Sequence, residues 1–118
     1  MKYTLRIKKN KIFRYVFKNG EFSKGKFVII HINKRKQEDE NCNYFAVCVS
    51  KKNGKSVQRN KLKRWVREVY KQEEEKLKRG YNIIISYKKS TTVDVLSYEK
   101  VRNDIIKCFK DLRLYDSI

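Results

Sequence analysis

Residues 50–71 (SKKNGKSVQRNKLKRWVREVYK) limit what this chain can fold into more than any other stretch of it. From about Val57 onward, apolar residues recur at the i, i+3, i+4, i+7 and i+8 spacing that is typical of one buried helix face. That face consists of Leu62, Trp65, Val66, Val69 and Tyr70. The opposite face, at about 100° per residue, carries Asn60, Arg64, Arg67 and Lys71, with Lys63 beside them. We therefore expect a helix that docks on a core through one side and exposes cations on the other.

The charge of this segment is unbalanced. Between Lys51 and Lys71 every charged residue except Glu68 is Lys or Arg, whereas a solvated helix usually alternates charges to gain ion pairs. The whole chain of 118 residues has 31 Lys and Arg against 13 Asp and Glu, a formal net charge of +18. Such a charge favours a polyanionic partner, with nucleic acid as the commonest kind and a membrane surface as the main alternative.

Length and composition narrow the class of protein further. A chain of this length predicts a single domain over residues 1–118. No apolar run is long enough to span a membrane, and the Lys-rich N-terminus lacks the apolar core of a signal peptide, which favours a cytoplasmic protein. Cys42, Cys48 and Cys108 include no C-x-x-C pair, so neither a disulfide framework nor a zinc site is expected. His31 lies within an apolar strand and is expected to pack there rather than bind a metal.

The strand pattern is clear in three segments. Residues 26–33 (KFVIIHIN), 43–50 (NYFAVCVS) and 81–87 (YNIIISY) are rich in β-branched and aromatic residues and are bounded by polar stretches. Residues 21–24 are expected to add a short edge strand before a turn at Gly25. A polar connector of mixed charge follows the first of these strands.

Two further helices flank the motif helix. Residues 8–18 predict a short helix with Asn10 as its N-cap and Asn19-Gly20 as its stop. Ser97 is expected to cap a final helix, whose buried positions are Val101, Ile105, Cys108, Phe109 and Leu112. The order strand, long helix, strand makes a β-α-β unit with parallel strands. The prediction is an α+β fold: a small mixed β-sheet packed with three helices.

The aromatic residues of the first helix allow two interpretations. Its apolar residues Ile12, Phe13, Val16 and Phe17 crowd one side, and packing in the core is the commoner role for such a cluster. Aromatic side chains beside a basic surface can instead stack on unpaired bases. The residues alone leave both roles open for Phe13 and Phe17.

Two kinds of catalysis are disfavoured by the residues present. Gly54-Lys55-Ser56 matches the end of a phosphate-binding loop, but Val49 occupies the position of the first required glycine. Gly54 is therefore expected to form a turn and Ser56 to cap the motif helix. An autonomous nuclease needs paired His residues or clustered carboxylates, whereas His31 is the one histidine and most acids fall in two runs, residues 38–40 and 73–75, that are expected to be solvated.

The motif segment resembles the signature of the bacterial ribonuclease P protein subunit. The matching residues are Ser50-Lys51-Lys52, Gly54-Lys55, Val57, Arg59-Asn60-Lys61, Lys63-Arg64 and Arg67-Glu68. The first helix with Phe13 and Phe17, the following Asn19-Gly20 and the strand start at Phe27-Val28 occur in the same order as in that family. The resemblance covers nearly the whole chain.

The resemblance implies the small subunit of a ribonucleoprotein endoribonuclease, which removes the 5′ leader of precursor tRNA by phosphodiester hydrolysis at an active site in its RNA. The implied partners are the catalytic RNA and the leader, without a membrane, and the protein is expected to be monomeric within the complex. Mg²⁺ is expected with the RNA and the substrate rather than in an all-protein site. The implied fold is ribosomal-protein-S5-domain-2-like, with a left-handed β-α-β crossover, against the usual right hand. The alternative of another class is a non-catalytic RNA-binding or ribosomal structural protein.

By the same resemblance, Phe13 and Phe17 belong to a leader-binding cleft, and no residue of the chain is catalytic or binds a metal. The implied RNA-binding residues of the motif helix and loop are Lys51, Lys52, Arg59, Asn60, Lys61, Lys63, Arg64 and Arg67. Lys61 stands where the family usually has Arg, so it keeps the attraction for phosphate but not the planar bidentate contact. Ile30 stands where an aromatic can occur in the leader cleft.

Overall fold

The computed structural model of the protein describes residues 1–35 and 41–116. The elements in chain order are β1 (Thr4–Arg6), α1 (Asn10–Asn19), β2 (Glu21–Lys24), β3 (Val28–Lys34), β4 (Asn43–Cys48), α2 (Ser56–Glu73), β5 (Tyr81–Tyr87) and α3 (Tyr98–Asp111). Short 3₁₀ turns follow β4 at Lys51–Asn53, α2 at Glu74–Lys76 and β5 at Val93–Val95. The acidic run at residues 38–40 lies outside the described residues.

The strands form one mixed sheet in the order β1-β4-β5-β3-β2. β4 and β5 pair in parallel through the α2 crossover, and β3 pairs antiparallel with both β5 and β2. The predicted α+β fold, the parallel β-α-β unit and the edge strand before Gly25 are confirmed. The left-handed crossover stays a prediction from the resemblance.

Two strands are shorter than predicted, because nearby side chains bind their end amides. β3 begins at Val28 rather than at residue 26, since the backbone N–H groups of Lys26 and Phe27 donate to the Asp104 carboxylate, at 2.7 and 2.8 Å. β4 ends at Cys48 rather than at residue 50, since the N–H of Ser50 donates to Asn53 Oδ1 at 3.0 Å and opens the next turn.

β1 was not predicted, because its three residues carry no alternating pattern and are held by a distant carboxylate. Glu74 accepts hydrogen bonds from the backbone N–H groups of Lys2 and Tyr3 and from the hydroxyl of Thr4, 70 positions away. Burial opposes the ionisation of Glu74, but the hydrogen bonds from Thr4, Lys2 and Tyr3 outweigh it and lower the pKa of this carboxyl. The carboxylate therefore fixes the N-terminal strand against the sheet.

The prediction that residues 73–75 form a solvated acidic face is wrong for two of the three. Glu74 is 4% exposed, and Glu73 is also buried and accepts a hydrogen bond from the Tyr115 hydroxyl at 2.7 Å. Glu75 is exposed. Like-charged neighbours at a helix end can thus be buried when each has its own donors.

Different helices pack on the two faces of the sheet. α2 and α3 pack on one face, over a large core that includes Ile30, Phe45, Ile83 and Ile85. α1 packs on the other face, where Val16 meets Ile84 and Ile7. Ile30 therefore lies on the face away from α1, and its lack of an aromatic ring does not affect the α1 side. Within the described residues, none of the helices has the length and apolar character needed to cross a bilayer.

The helix ends follow the prediction in part. Ser97 Oγ caps α3 by accepting from the N–H of Lys100 at 3.2 Å, and α1 ends before Gly20, whose N–H donates to Val16 O at 2.8 Å. Asn10 is not the N-cap of α1: Lys9 occupies that position and no side chain caps the helix. A local pattern cannot separate a cap from the first helical residue when the two are adjacent.

Candidate nucleic-acid interface

The apolar face of α2 is buried as its spacing predicts. Leu62, Val66, Val69 and Tyr70 are fully buried and Trp65 is half-buried. The Tyr70 ring stacks on Phe45 with ring centroids 4.2 Å apart. The hydroxyl of Tyr87 in β5 donates to Leu62 O at 2.9 Å. These contacts fix the rotation of the helix about its axis and therefore fix which side faces outward.

The outward side of α2 is a row of cations that have no acidic partners within the described residues. Asn60, Arg64, Arg67 and Lys71 are exposed, and Lys63 is half-buried. The ion pair seen among residues 1–35 and 41–116 joins Lys76 to Glu73 at 3.8 Å, away from this row. The predicted two-sided helix is confirmed: one side is buried, and the cations on the other side form no ion pair within the part of the chain that the structure describes.

Two residues of the predicted RNA-binding set, Lys61 and Arg59, differ from the others in their surroundings. Lys61 is exposed, and its Nζ lies 5.1 Å from the centroid of the Trp65 ring, a cation–π distance. Arg59 is half-buried, and its Nε is buried without a hydrogen-bond partner in the described structure. An unpaired buried donor is costly, so Arg59 stands to gain from an oxygen acceptor brought by a ligand.

The turn before α2 holds Lys51 and Lys52 at the surface. Asn53 is fully buried, and its side-chain amide donates to Lys88 O at 2.8 Å and to Thr91 O at 2.7 Å. Gly54 has φ +145°, in the region that favours glycine, as the predicted turn requires. Both lysines are exposed on this anchored turn.

Ser56 does not cap α2, contrary to the prediction. The helix begins at Ser56, and Lys55 occupies the N-cap position. Gln58 Oε1 accepts from the N–H of Lys55 at 2.8 Å, and so satisfies an amide at the helix start from the third helical position. The hydroxyl of Ser56 has no capping role here.

The aromatic residues of α1 divide between core and surface. Phe13 is half-buried beside Ile84, whereas Phe17 is 46% exposed. The Phe17 ring meets His31 edge to face, with centroids 4.7 Å apart, and the centroid of the Phe22 ring lies 5.7 Å from that of His31. Packing in the core therefore accounts for Val16 but not for Phe17.

The aromatic cluster of Phe17, Phe22 and His31 is electrically neutral at pH 7. Burial lowers the pKa of His31 below its usual value, and Nδ1 has no hydrogen-bond partner in the described part of the chain. The prediction that His31 packs in its strand is confirmed. Phe22 was missed as a member, although the antiparallel register that pairs Phe22 with His31 places both on one face.

Lys63, beside the cation row, lies near the end of β4. Cys48 lies there, packed against the group formed by Val16 and Ile84. Burial raises the pKa of the Cys48 thiol, while a hydrogen bond with Ser86 and the charge of Lys63 oppose the rise. Lys63 of α2 thus lies near Cys48, whose side chain is on the face of the sheet that α1 covers.

The fold and this surface define a class: small, basic α+β proteins with an anchored helix whose exposed cations suit an anionic partner. The family model for Ribonuclease P matches residues 1–113. A ribonuclease P protein component from Alkaliphilus oremlandii is 38% identical over 117 residues, which cover 99% of this chain and 98% of that protein. One from Clostridium botulinum is 34% identical over 112 residues, 94% of this chain and 96% of that protein.

Solved structures agree with these relatives. The ribonuclease P protein of Staphylococcus aureus has a TM-score of 0.82 and 26% identity, covering 94% of this chain and 97% of that chain. The Thermotoga maritima protein, at 24% identity and a TM-score of 0.74, shares the fold over 87% of this chain and 93% of that chain. The chain belongs to the ribonuclease P protein family, and is a protein subunit of this tRNA-processing endoribonuclease. The resemblance drawn from the motif is confirmed.

Proposed function

We propose that this subunit assists removal of the 5′ leader by binding the leader and the catalytic RNA, while the RNA carries out the hydrolysis. The observation that carries the proposal is the cation row of α2, which has no ion pair within residues 1–35 and 41–116, together with the exposed ring of Phe17 on α1. Phosphate contacts supply affinity and orientation, and aromatic side chains stack on unpaired bases. The cations lie on the helix that covers one face of the sheet and the aromatic side chains on the helix that covers the other, with Lys63 near Cys48 at the end of β4.

The binding roles divide between the two elements. Phe13 and Phe17 bind the single-stranded leader, beside the neutral ring of His31. The α2 face and the turn before it bind the catalytic RNA through Lys51, Lys52, Arg59, Asn60, Lys61, Lys63, Arg64 and Arg67. Arg59 and Arg64 can offer paired N–H donors to one phosphate, whereas Lys61 acts as a point charge.

Mg²⁺ in the working complex is bound by the RNA and the substrate under this proposal. Among the described residues, no group of three His, Cys, Asp or Glu side chains could hold a metal ion. Glu68 is the one acid along the cation row. The lysines and arginines of this surface would neutralise phosphates, and so lower the Mg²⁺ concentration that the folded RNA needs. We place the complex in the cytoplasm, with one copy of the protein bound to the RNA.

Reconstitution tests this function directly. Adding the purified protein to the catalytic RNA at low Mg²⁺ is expected to restore leader removal from precursor tRNA, measured by gel separation of the products. The protein alone is expected to cleave nothing. A ribosomal structural protein would leave the RNA inactive, and cleavage by the protein alone would show an autonomous nuclease. Either result would refute the proposed role.

Replacement of Arg64 by Ala tests the cation row. Arg64 is exposed and has no ion pair within the described residues, so a phosphate contact would be lost without damage to the core. We expect the slope of log binding constant against log salt, for protein and catalytic RNA, to fall in magnitude by about 0.7 to 0.9. Lys107→Ala on α3 removes one exposed charge from another helix and serves as the control. A slope equal to that of the control would show that Arg64 does not contact a phosphate of the catalytic RNA.

A further inference from the structure

α1 has a second flank, which the leader assignment does not use. Successive helical residues differ by about 100°, so Tyr15 and Phe17 lie on opposite flanks, with the buried Val16 between them. The Tyr15 flank and the sheet enclose a groove of ≈ 930 Å³. Neither Phe13 nor Phe17 lines it. The groove is therefore separate from the leader cleft and is divided from it by the helix.

Every charged residue that lines the groove is Lys or Arg. α1 and the residues just before it contribute Lys8, Lys9, Lys11, Arg14 and Lys18, all of them exposed. None of these five forms an ion pair in the part of the chain that the structure describes. Their mutual repulsion in the absence of a ligand favours a partner with several negative charges.

The groove also presents aromatic rings and amides. Tyr15 is 49% exposed at its rim, and Tyr44 lies on the β4 side with the Arg35 guanidinium 4.6 Å from its ring centroid. At its sheet side, Asn82 Nδ2 donates to Asn33 Oδ1 at 3.0 Å. Asn82 is 7% exposed, and its Oδ1 has no hydrogen-bond partner within the described structure. An acceptor without a donor at the base of a cationic groove suits a ligand that carries N–H or O–H groups.

These three features together select a class of ligand. Cations that track phosphates, with aromatic rings for base faces, are the usual composition of a single-stranded nucleic-acid groove, and amides can read base edges or the 2′-hydroxyl. We propose that this groove binds a second single-stranded RNA segment, on the opposite side of α1 from the leader cleft. The inference rests on the proposed function, because that function supplies the RNA. α1 then forms a ridge between two RNA segments.

The segment can come from the distal part of a long leader or from the catalytic RNA, and the two sources share the same chemistry. Lys11→Ala/Arg14→Ala removes two exposed charges from one helix without loss of helix propensity. With the reconstituted complex, precursor tRNAs with leaders of increasing length are titrated over a range of salt concentrations. The same titration is done with the protein and the catalytic RNA. Lys107→Ala/Lys110→Ala on α3 removes the same charge and is the matched control.

The expected result is a fall of about 1.4 in the magnitude of the salt slope, from about 0.7 for each contact with a single strand. If the leader fills the groove, the fall appears only with leaders long enough to reach it. If the catalytic RNA fills it, the fall appears in protein binding to that RNA and is independent of the leader. Tyr15→Ala is expected to weaken the same interaction without changing the slope, because stacking is insensitive to counterions.

Slopes equal to those of the α3 control, with unchanged binding by Tyr15→Ala, would overturn the second groove. A Phe17→Ala variant in the same assays reports separately on the leader cleft. If only Phe17→Ala loses leader binding, the proposed function is supported and RNA binding in the groove is refuted. If only the Lys11→Ala/Arg14→Ala variant loses RNA binding, RNA binding in the groove is supported and the assignment of Phe17 to the leader cleft is refuted.

Discussion

Phe17→Ala is expected to weaken binding of precursor tRNA to the reconstituted complex by about 1 to 3 kcal/mol, roughly 5- to 150-fold. Binding of mature tRNA, which has no leader, is expected to change little. The physical reason is the position of the ring: it is 46% exposed and held edge to face by His31. A base can stack on the part of the ring that is exposed in the free protein. Equilibrium titrations with the two tRNAs measure the difference.

Phe17→Leu separates stacking from simple packing. Leucine keeps apolar area beside His31 but has no aromatic face, so the loss of precursor binding should approach that of the Ala variant. Val95→Ala is the control, because Val95 is similarly exposed (51%) and lies just before α3, on the other side of the sheet. The lost contact with His31 accounts for about 0.5 to 1.5 kcal/mol of stability, which thermal unfolding would register. Equal losses for precursor and mature tRNA would contradict the assignment.

Local patterns predicted most of the secondary structure and the orientation of α2. The strand at Tyr81–Tyr87 and the edge strand at Glu21–Lys24 have the predicted bounds. A run of β-branched residues or an apolar repeat depends only on neighbouring positions, so it predicts a strand or a helix without knowledge of the rest of the chain. The cation row followed from the same repeat, because burial of one helix face fixes the other.

Contacts between distant residues were not predictable in this way. Glu74 accepts hydrogen bonds from residues at the start of the chain, and a run of acidic residues in the sequence does not reveal donors 70 positions away. The groove beside Tyr15 has the same origin: its walls include residues of β1, α1, β3, β4 and β5, which only the sheet order brings together. The role of Phe17 stayed open for a related reason. Helical spacing shows which residues lie on the same side of α1, but it does not show which of them the core buries and which remain exposed.

Asp104→Ala is expected to lower the free energy of unfolding by about 3 kcal/mol. Asp104 is 6% exposed on α3, and its carboxylate accepts from the N–H groups of Lys26, Phe27 and Val28 at 2.7, 2.8 and 3.0 Å. Removing it leaves three backbone donors without their partner at the start of β3. Urea unfolding followed by circular dichroism measures the change, with the exposed Asp94→Ala as control.

Gly25 provides a second route to the same contact. A Cβ at Gly25 would collide with the Asp104 carboxylate oxygens, so Gly25→Ala must displace the group that binds the three amides. Because both substitutions remove one interaction, their effects should not add: the double variant is expected to lose much less than the sum of the single losses. Additive losses, or an Asp104→Ala variant as stable as Asp94→Ala, would show that the carboxylate does not hold the turn. Since this turn sets where β3 begins, it also positions His31, which lies on β3 in contact with Phe17. The surface proposed to stack on bases therefore depends on a carboxylate of α3, on the other side of the sheet.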